Sequence, residues 1–353
     1  MSHSVAVLPG DGIGPEVTAE AIRVLKSVDK QLNLNLEFSE GLIGGAALDA
    51  TGEPLPSSTI GLCKKADAIL LGAVGGKKWE HLPAGPEVGL LGLRKALGLY
   101  ANLRPVKTLP ELVDASPLKA DRLDGVDIMV IRELTGGIYF GKRELSSTHA
   151  YDTCEYTTKE IKRICRMAGN LAMTRRRKVT SVDKHNVLDT SRLWRKTATT
   201  LFQSEFPEIE LEHIYVDAAA MHLLNRPKDF DVLVTENMFV DILSDEASML
   251  AGSLGLLPSA SLSDEGPCLY EPIHGSAPDI AGLDSANPTG AILSGAMLLR
   301  HSLGLPDAAA AVEAAVAASY AAGFRTPDLW ALESEKSVGT KIFGEAVLTY
   351  LKL

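Results

Sequence analysis

The sequence predicts an α/β protein in which strands and helices alternate along the chain. Short aliphatic runs recur, many of them apolar at successive positions, as expected for strands that are covered on both faces of a sheet. Between several of these runs lie stretches whose apolar residues fall on one helical face. With 353 residues, the chain is long enough for about two domains.

The predicted elements follow the chain in order. Strands are expected at residues 5–8, 34–38, 68–74, 127–133, 178–182, 212–216 and 231–236. A helix is expected after Pro15, with Val17, Ala21, Val24, Leu25 and Val28 on one face. A last helix is expected to carry Ile342, Phe343, Ala346, Val347, Tyr350 and Leu351 on one face. Loops rich in Pro and Gly interrupt the pattern at 75–89 and 259–267.

Composition and charge narrow the classes of function. The 45 acidic residues outnumber the 35 basic ones, and the net charge of −10 argues against a nucleic-acid partner or an anionic membrane surface. The four cysteines form no CxxC pair, which favours free thiols, a reducing compartment and no zinc site. The first residues lack an export signal, and the Ala-rich segment 308–322 is too short to span a bilayer. We therefore expect a cytoplasmic protein without membrane or nucleic-acid partners.

The stretch VLPGDGIGPEV follows the first predicted strand and precedes a helix. Its glycines, Gly10, Gly12 and Gly14, are followed by Pro15, so the stretch departs from the G-x-G-x-x-G pattern of a dinucleotide loop. Pro15 suits the first turn of a helix, because its fixed φ is already helical. The alternative to nucleotide binding is a plain turn from strand to helix.

Residues 230–262 resemble a buried strand that runs into a helix starting near Asn237. In such a helix Asp241, Asp245, Ser248 and Gly252 form a narrow stripe of polar or small residues. Two carboxylates four residues apart repel each other, and a hard cation such as Mg²⁺ would reverse that repulsion. A solvated acidic helix face is the alternative.

Three arginines, Arg94, Arg104 and Arg132, are placed at the ends of predicted elements. Guanidinium groups bind carboxylates through paired hydrogen bonds, so three that converge would suit a polycarboxylate substrate. Surface salt bridges are the alternative for each of them.

Three further positions have residue types that serve catalysis or cofactor binding. Tyr139 lies among glycines and is either a general acid or a packed tyrosine. Lys184 follows a strand and is either a general base or a solvated lysine. Asp279, in the loop-rich segment 270–288, would accept the hydroxyls of a ribose and favour NAD over NADP, unless this is an ordinary surface loop.

Taken together, these segments resemble the isocitrate/isopropylmalate dehydrogenase family. The match covers nearly the whole chain in order, through LPGDGIGPEV, GLLGLRKALGLYANLRPVK, IRELTGGIYFG, DKHNVLDTSRLWR, DAAAMHLL, TENMFVDILSDEASMLAGSLGLLPSASL and YEPIHGSAPDIAG. The resemblance implies a β-decarboxylating dehydrogenase fold rather than a Rossmann fold. Residues 1–99 and 252–353 would form a larger domain, and 100–251 an inserted domain with a dimerisation arm at about 133–156. It also implies a homodimer in which Lys184 and Asp217 are donated to the partner's active site.

The resemblance further implies a reaction and a set of site residues. The reaction is NAD-dependent oxidative decarboxylation of (2R,3S)-3-isopropylmalate to 4-methyl-2-oxopentanoate and CO2, a step of leucine synthesis. Tyr139 and Lys184 would be catalytic, and Mg²⁺ or Mn²⁺ would lie on Asp217, Asp241 and Asp245. The substrate would contact Arg94, Arg104, Arg132, Glu87, Leu90, Leu91 and Val187, whose apolar members suit an isopropyl group. NAD would contact Ile13, Asn186, His274, Gly275, Ser276, Ala277, Asp279, Ile280 and Asn287.

Two other assignments stay open at this point. One is a related enzyme that acts on isocitrate, malate or tartrate, and the other is a regulatory subunit that binds NAD or a metabolite without catalysis. The sequence also departs from the usual family pattern at His185, Asp189, Val240 and the segment GLDSANP. Of these, the branched Val240 directly precedes the predicted metal ligand Asp241, and we expect a helix to accommodate it.

Overall fold

The structure is a computed structural model, and it describes residues 2–329 and 336–353. Its strands are β1 (His3–Gly10), β2 (Leu36–Glu40), β3 (Ala68–Ala73), β4 (Ala101–Lys107), β5 (Asp127–Glu133), β6 (Arg143–Leu145), β7 (Ala150–Asp152), β8 (Lys178–Asp183), β9 (Glu210–Tyr215), β10 (Val232–Thr235), β11 (Pro258–Leu262), β12 (Cys268–Pro272), β13 (Phe324–Arg325) and β14 (Lys336–Ser337). Its α-helices are α1 (Gly14–Leu32), α2 (Gly44–Thr51), α3 (Ser57–Lys65), α4 (Pro86–Ala96), α5 (Ala120–Leu123), α6 (Thr158–Met173), α7 (Asp189–Glu205), α8 (Val216–Asn225), α9 (Asn237–Ala251), α10 (Thr289–His301), α11 (Pro306–Ala321) and α12 (Thr340–Tyr350).

The chain divides into two compact units. Unit 1 contains Met1–Leu99, Leu109–Ser116 and Ala251–Leu353, and unit 2 contains Tyr100–Thr108 and Pro117–Leu250. This division differs from the predicted boundaries at Leu109–Ser116, which belongs to unit 1. The reason is local packing, because this segment forms a short 3-10 helix against α11, and Arg325 donates a hydrogen bond to the Glu111 carbonyl oxygen.

Unit 1 is built on five strands in the order β2-β1-β3-β12-β11. All neighbouring pairs are parallel except β11 and β12. The six residues of β3 are all buried, as expected for a strand covered on both faces. Helix α1 packs against α10 and α12, and the predicted face of α1 is confirmed, since all five of its apolar residues are buried.

Unit 2 is built on five strands in the order β4-β5-β10-β8-β9. Here β4 pairs antiparallel with β5, and the other neighbours are parallel. Because β5, β8 and β10 run in the same direction, the residues that follow them emerge at one edge of the sheet. Tyr139, Lys184 and helix α9 all follow these strands along the chain.

The seven predicted strands are confirmed, while several others escaped sequence analysis. Strand β4 was missed because Asn102 and Arg104 break its apolar pattern, although both are buried. Strand β11 occupies part of the predicted loop at 259–267, and α4 begins inside the predicted loop at 75–89. The last predicted helix exists as α12. Of the six apolar residues expected on one face, Ile342 and Tyr350 are exposed, and Leu351 lies just after the last residue of the helix.

Candidate active site

The two acidic residues predicted on one helix face lie on α9, opposite two arginines of unit 2. Arg132, near the end of β5, donates to Asp241 Oδ1 at 2.5 Å. Arg104, in the middle of β4 rather than at an element's end, lies with Nη2 3.8 Å from Asp241 and Nη1 4.0 Å from Asp245. Both guanidinium groups are buried, so their charge acts in a poorly screened environment.

The polar stripe on α9 is shorter than predicted. Ser248 is fully buried and donates to the Asp245 carbonyl oxygen, and Gly252 lies beyond the last residue of the helix. The stripe therefore reduces to two carboxylates. Val240 is fully buried, and its amide donates to the Glu236 carbonyl oxygen, so the helix accommodates this branched residue as expected.

Tyr139 completes this cluster. Its turn follows β5, and its hydroxyl donates to Asp241 Oδ2 at 2.8 Å. Burial and the Asp241 carboxylate together raise the pKa of Tyr139 to about 12, which keeps the phenol protonated at neutral pH. A protonated phenol beside the Arg132 guanidinium suits a general acid that works next to bound carboxylates.

The two carboxylates of α9 differ in acidity. Burial opposes ionisation of Asp241, but Arg132 and Arg104 outweigh it and lower the pKa of this carboxyl. For Asp245, burial outweighs the attraction of Arg104, and the Asp241 charge adds to it, so its pKa is raised. A divalent cation would favour the charged form of both groups.

Lys184 and Asp217 lie together elsewhere in unit 2. The Lys184 ammonium is 2.7 Å from Asp217 Oδ1, and this hydrogen bond lowers the pKa of Asp217. The turn that carries Lys184 is fixed by buried Asp183, which binds Arg195 through both oxygens at 2.7 Å and accepts from the His185 amide. The next residues of the turn, Asn186 and Val187, are exposed.

Helix α4 of unit 1 carries Arg94 together with the predicted specificity residues. Glu87 is exposed, and Leu90 and Leu91 are partly exposed. Arg94 is buried and donates to Glu271 Oε1 at 2.7 Å, a partner that sequence analysis missed. Its Nε atom is buried and has no hydrogen-bond partner among the described residues, so it is available to an anionic ligand that reaches it.

The glycine loop at the start of the chain lies against the loop at 274–280. The Ile13 amide donates to the Ser276 carbonyl oxygen at 2.8 Å. A Cβ atom at Gly12, whose φ is +56°, would lie 1.9 Å from the same oxygen, so only glycine permits this approach. Both segments belong to unit 1, although they are more than 250 residues apart in the sequence.

The loop at 274–280 offers several groups to a cofactor. His274 Nδ1 bonds the Gly275 carbonyl oxygen, while Nε2 is buried without a partner among the described residues. Burial lowers the pKa of His274, so the ring is neutral. An ideal Cβ at Gly275 meets nothing within 4 Å, which leaves room for a ligand beside the backbone.

Asp279 borders a cavity of about 410 Å³ in unit 1. Glu87 and Trp79 line the same cavity, and Asp279 and Ile280 belong to a short 3-10 helix that follows Ala277. Asn287, also predicted for NAD, donates through its side-chain amide to Asp328 and accepts from the Thr289 backbone amide.

The unusual GLDSANP segment is fixed by Asp284, which accepts from the backbone amides of Thr340 and Lys341 at the start of α12.

The residues present fit the predicted cofactor and metal in their chemistry. An exposed carboxylate, a buried neutral imidazole and an open glycine suit a dinucleotide with ribose hydroxyls. Carboxylate oxygens are the ligands that Mg²⁺ and Mn²⁺ prefer. Within residues 2–329 and 336–353, no three acidic, histidine or cysteine side chains form a group that would hold a metal ion.

Two further buried carboxylates, which were not predicted from the sequence, organise these sites. Asp11 is buried and accepts hydrogen bonds from the amides of Gly45, Ala46 and Gly75. Glu133 is buried and accepts from Thr135 and Gly136, which fixes the turn before Tyr139. In the sequence, the only indication that Asp11 has a structural role is its position between two glycines in GDG. Glu133 has no such indication, because a carboxylate at the end of a strand is recognised as structural only once its hydrogen-bond partners are known.

Comparison with known proteins identifies the family. A family model described as isocitrate/isopropylmalate dehydrogenase matches residues 4–347. The chain belongs to the isocitrate/isopropylmalate dehydrogenase family. A 3-isopropylmalate dehydrogenase of Rhodopirellula baltica is 56% identical over 99% of both chains. One of Geobacillus kaustophilus is 58% identical, over 93% of this chain and 90% of its own.

Solved structures of the same family resemble the fold. The isocitrate dehydrogenase of Methylococcus capsulatus is 34% identical with a TM-score of 0.89, over 99% of this chain and 100% of its own. A β-decarboxylating dehydrogenase of Thermococcus kodakarensis is 36% identical with a TM-score of 0.79, over 99% and 96%. The predicted family, the β-decarboxylating dehydrogenase fold and the assignment as an oxidoreductase are thereby confirmed.

Cys63, Cys154, Cys165 and Cys268 are free thiols, as predicted, and two of them are buried. In the part of the chain that the structure describes, no helix is both long and apolar enough to cross a membrane.

Proposed function

We propose that this family member catalyses the NAD-dependent oxidative decarboxylation of (2R,3S)-3-isopropylmalate to 4-methyl-2-oxopentanoate and CO2, in leucine synthesis. The observation that carries the proposal is the convergence of Arg104, Arg132 and Tyr139 on Asp241. Cationic groups for carboxylates, a proton donor and acidic metal ligands thus lie within one cluster.

The proposed ligands of the metal ion are Asp241 and Asp245, together with Asp217 of the partner subunit. The proposed NAD site contains Ile13, His274, Gly275, Ser276, Ala277, Asp279, Ile280, Asn287 and Asn186. When bound, Mg²⁺ or Mn²⁺ supplies a Lewis acid for the substrate's C2 oxygen, and NAD⁺ accepts the hydride.

The chain's own residues account for binding and proton movement. Arg94, Arg104 and Arg132 bind the carboxylates of the substrate and orient it. In its neutral form, Lys184 of the partner subunit accepts the proton of the C2 hydroxyl; binding of a metal ion to Asp217 would withdraw the carboxylate that otherwise pairs with the Lys184 ammonium. After CO2 leaves, Tyr139 donates its proton to the carbon that carried the carboxylate, which its raised pKa allows at neutral pH.

The choice of isopropylmalate rests on the side chains beside Arg94. Leu90 and Leu91 offer apolar surface to an isopropyl group, and Val187 is a further exposed apolar residue assigned to the same contact. A pocket contact of this kind discriminates by roughly 1–3 kcal/mol. Relatives named 3-isopropylmalate dehydrogenase at 56–58% identity support this choice over the isocitrate dehydrogenase at 34%.

A homodimer is part of the proposal, because apolar surface of unit 2 lacks a cover. The exposed fractions are 86% for Leu145 on the β6–β7 hairpin, 68% for Met221 on α8 and 61% for Ile242 on α9. These large apolar side chains are exposed on three elements of unit 2 and are available for a contact with another protein chain. We assign them to a second copy, with the hairpin inside the predicted arm 133–156.

The test is an assay of the purified chain with isopropylmalate, NAD⁺ and Mg²⁺. We expect NADH and CO2 in equal amounts, and we expect a chelator to stop both until Mn²⁺ or Mg²⁺ is returned. NADH without CO2 would contradict the decarboxylation, and activity unaffected by the chelator would contradict the metal. No turnover with any 2-hydroxy acid of this class would instead favour a non-catalytic subunit.

A further inference from the structure

Asn237 is buried at the first position of α9, and it binds three other parts of unit 2. Its side-chain Oδ1 accepts from Arg132 Nε at 2.7 Å, and its Nδ2 donates to the Gly136 carbonyl oxygen at 3.1 Å. Its backbone amide donates to the Tyr156 hydroxyl at 3.0 Å. The residue is 1% exposed, so water does not replace these partners.

Each partner of Asn237 leads to a group of the cluster around Asp241. Arg132 donates through Nε to Asn237 and through Nη1 to Asp241, so the two residues bind different nitrogen atoms of the same guanidinium group. Gly136 begins the turn that carries Tyr139. Asp241 lies one helical turn after Asn237, so it shares the same face of α9.

The chemistry of an asparagine suits this place better than that of any residue of similar size. One end of its amide accepts from a guanidinium and the other donates to a carbonyl, while a carboxylate would only accept and an aliphatic group would do neither. The turn is closely packed at this point, since Gly137 has a φ of +78° and a Cβ there would lie 2.3 Å from the Tyr156 hydroxyl. Glu133 holds the other side of the turn through the Gly136 amide.

We propose that Asn237 is a positioning residue that keeps Tyr139 and Arg132 aligned with Asp241, and this role rests on the proposed function. The hydrogen bonds of Asn237 go to Arg132, Gly136 and Tyr156 rather than to Tyr139 or Asp241 themselves. Its Oδ1 binds Arg132, and its Nδ2 binds the turn that carries Tyr139. A substitution can remove one of these two contacts and keep the other.

Asn237→Asp separates the two contacts. The carboxylate keeps an acceptor for Arg132 but faces the Gly136 carbonyl oxygen with a second acceptor, which loosens the turn of Tyr139. We expect kcat to fall roughly tenfold to a hundredfold, a fraction of what a general acid contributes, with KM for isopropylmalate within about threefold. Asn237→Ser reaches neither partner, and we expect it to raise that KM as well.

A double-substitution cycle distinguishes positioning from general damage. If Asn237→Asp acts through the phenol, then kcat of the Tyr139→Phe, Asn237→Asp double variant stays within about twofold of Tyr139→Phe alone. Losses that multiply in the double variant would overturn the proposal. Asn225→Asp is the matched control, because Asn225 is exposed and also accepts from an arginine, Arg122. It should leave kcat unchanged.

Hydrogen exchange gives a readout without catalysis. The amides of Gly136, Gly137 and Gly141 are hydrogen-bonded in the turn, and in Asn237→Ser we expect a peptide over 136–141 to exchange roughly two- to tenfold faster, as for one lost hydrogen bond. Unchanged exchange in both Asn237 variants would overturn the proposal, even if the wild-type chain proved inactive toward isopropylmalate. An inactive wild type with faster exchange would refute the proposed function alone.

Discussion

The Asp241 carboxylate binds Tyr139 through one oxygen and Arg132 through the other, at 2.8 Å and 2.5 Å. A proton donor and a cation are therefore held on opposite sides of one acidic group. Since Arg132 lowers the pKa of Asp241 while Asp241 raises that of Tyr139, the carboxylate stays ionised and the phenol stays protonated over the same pH range.

Tyr139→Phe removes the proposed proton donor and leaves the ring beside Arg132, whose guanidinium lies 5.8 Å from the ring centroid. We expect kcat to fall by roughly 10²–10⁴, with KM for isopropylmalate changed little, because the substituted group acts on the proton rather than on binding. Steady-state kinetics checks this. A kcat within threefold of the wild type would remove Tyr139 from the mechanism.

If Lys184 serves the active site of the partner subunit, as proposed, two inactive variants should restore each other's activity. In a dimer of Lys184→Ala and Asp241→Asn chains, one site contains both substitutions and the other contains none. Random exchange of subunits should therefore restore about a quarter of the wild-type activity, with each variant alone inactive. Refolding or prolonged mixing, followed by an NADH assay, measures the recovery.

The control for this experiment pairs Asp241→Asn with Asp245→Asn. Both residues belong to the same cluster of one chain, so every mixed dimer has a defect in both sites and no recovery is expected. Recovery in the control, or its absence from the Lys184 and Asp241 mixture, would contradict the arrangement in which Lys184 serves the partner.

Glu271 neutralises a buried guanidinium in unit 1. The side chains of Arg94 and Glu271 are only 10% and 9% exposed, so Glu271→Gln leaves a charge without a counterion. We expect a loss of about 3–5 kcal/mol in the free energy of unfolding, measured in urea. Replacing both residues, as Arg94→Met with Glu271→Leu, should recover most of that loss.

A surface ion pair provides the comparison for Glu271. Asp189 is 2.5 Å from Arg192 with a side chain that is 91% exposed, so Asp189→Asn should leave the urea midpoint nearly unchanged. Equal effects of Glu271→Gln and Asp189→Asn would show that burial of the Arg94 pair does not matter for stability.

Stability should decrease in mild acid because of His274. Burial lowers the pKa of His274 below its ordinary value of 6.5, so the unfolded chain takes up the proton first. The contribution of His274 is present above pH 6.5 and is lost as the pH falls toward its folded pKa. We expect His274→Gln to flatten the decrease in unfolding free energy between pH 6.5 and 5, whereas exposed His149→Gln should not. An unaltered slope in His274→Gln would contradict this prediction.

Local patterns in the sequence predicted the elements that carry the candidate site. The four-residue spacing of Asp241 and Asp245 on α9 is a property of the helix itself. Residues 127–133 are recognisable as a strand because four consecutive residues of the seven, 128–131, are apolar. Such signals need no knowledge of distant partners.

The partners of these residues could not be predicted in the same way. Arg94 and Glu271 are 177 positions apart, and Arg132 and Asn237 are 105 apart. A buried polar residue in mid-strand, such as Arg104, breaks the apolar pattern that identifies strands. Strand β4 was therefore missed because it carries the polar residue that belongs to the candidate site. Long-range polar contacts depend on topology, which periodicity does not encode.

The apolar residues beside Arg94 predict how specificity responds to substitution. Leu90→Ser with Leu91→Asn should lower kcat/KM for isopropylmalate by roughly 10- to 200-fold, because polar side chains would replace the proposed contacts of the isopropyl group. Val88→Ser, an exposed position on the same helix, is the matched control and should change little. Unchanged kinetics in the double variant would remove Leu90 and Leu91 from the specificity argument.

The identity of the substrate can be tested by comparing four 2-hydroxy acids in one assay. Initial rates of NADH formation, with Mg²⁺ and purified chain, give kcat/KM for isopropylmalate, isocitrate, malate and tartrate under the same conditions. We predict that isopropylmalate exceeds each of the others by at least roughly tenfold, as expected from the contacts of one apolar substituent. A higher kcat/KM for isocitrate would contradict the account.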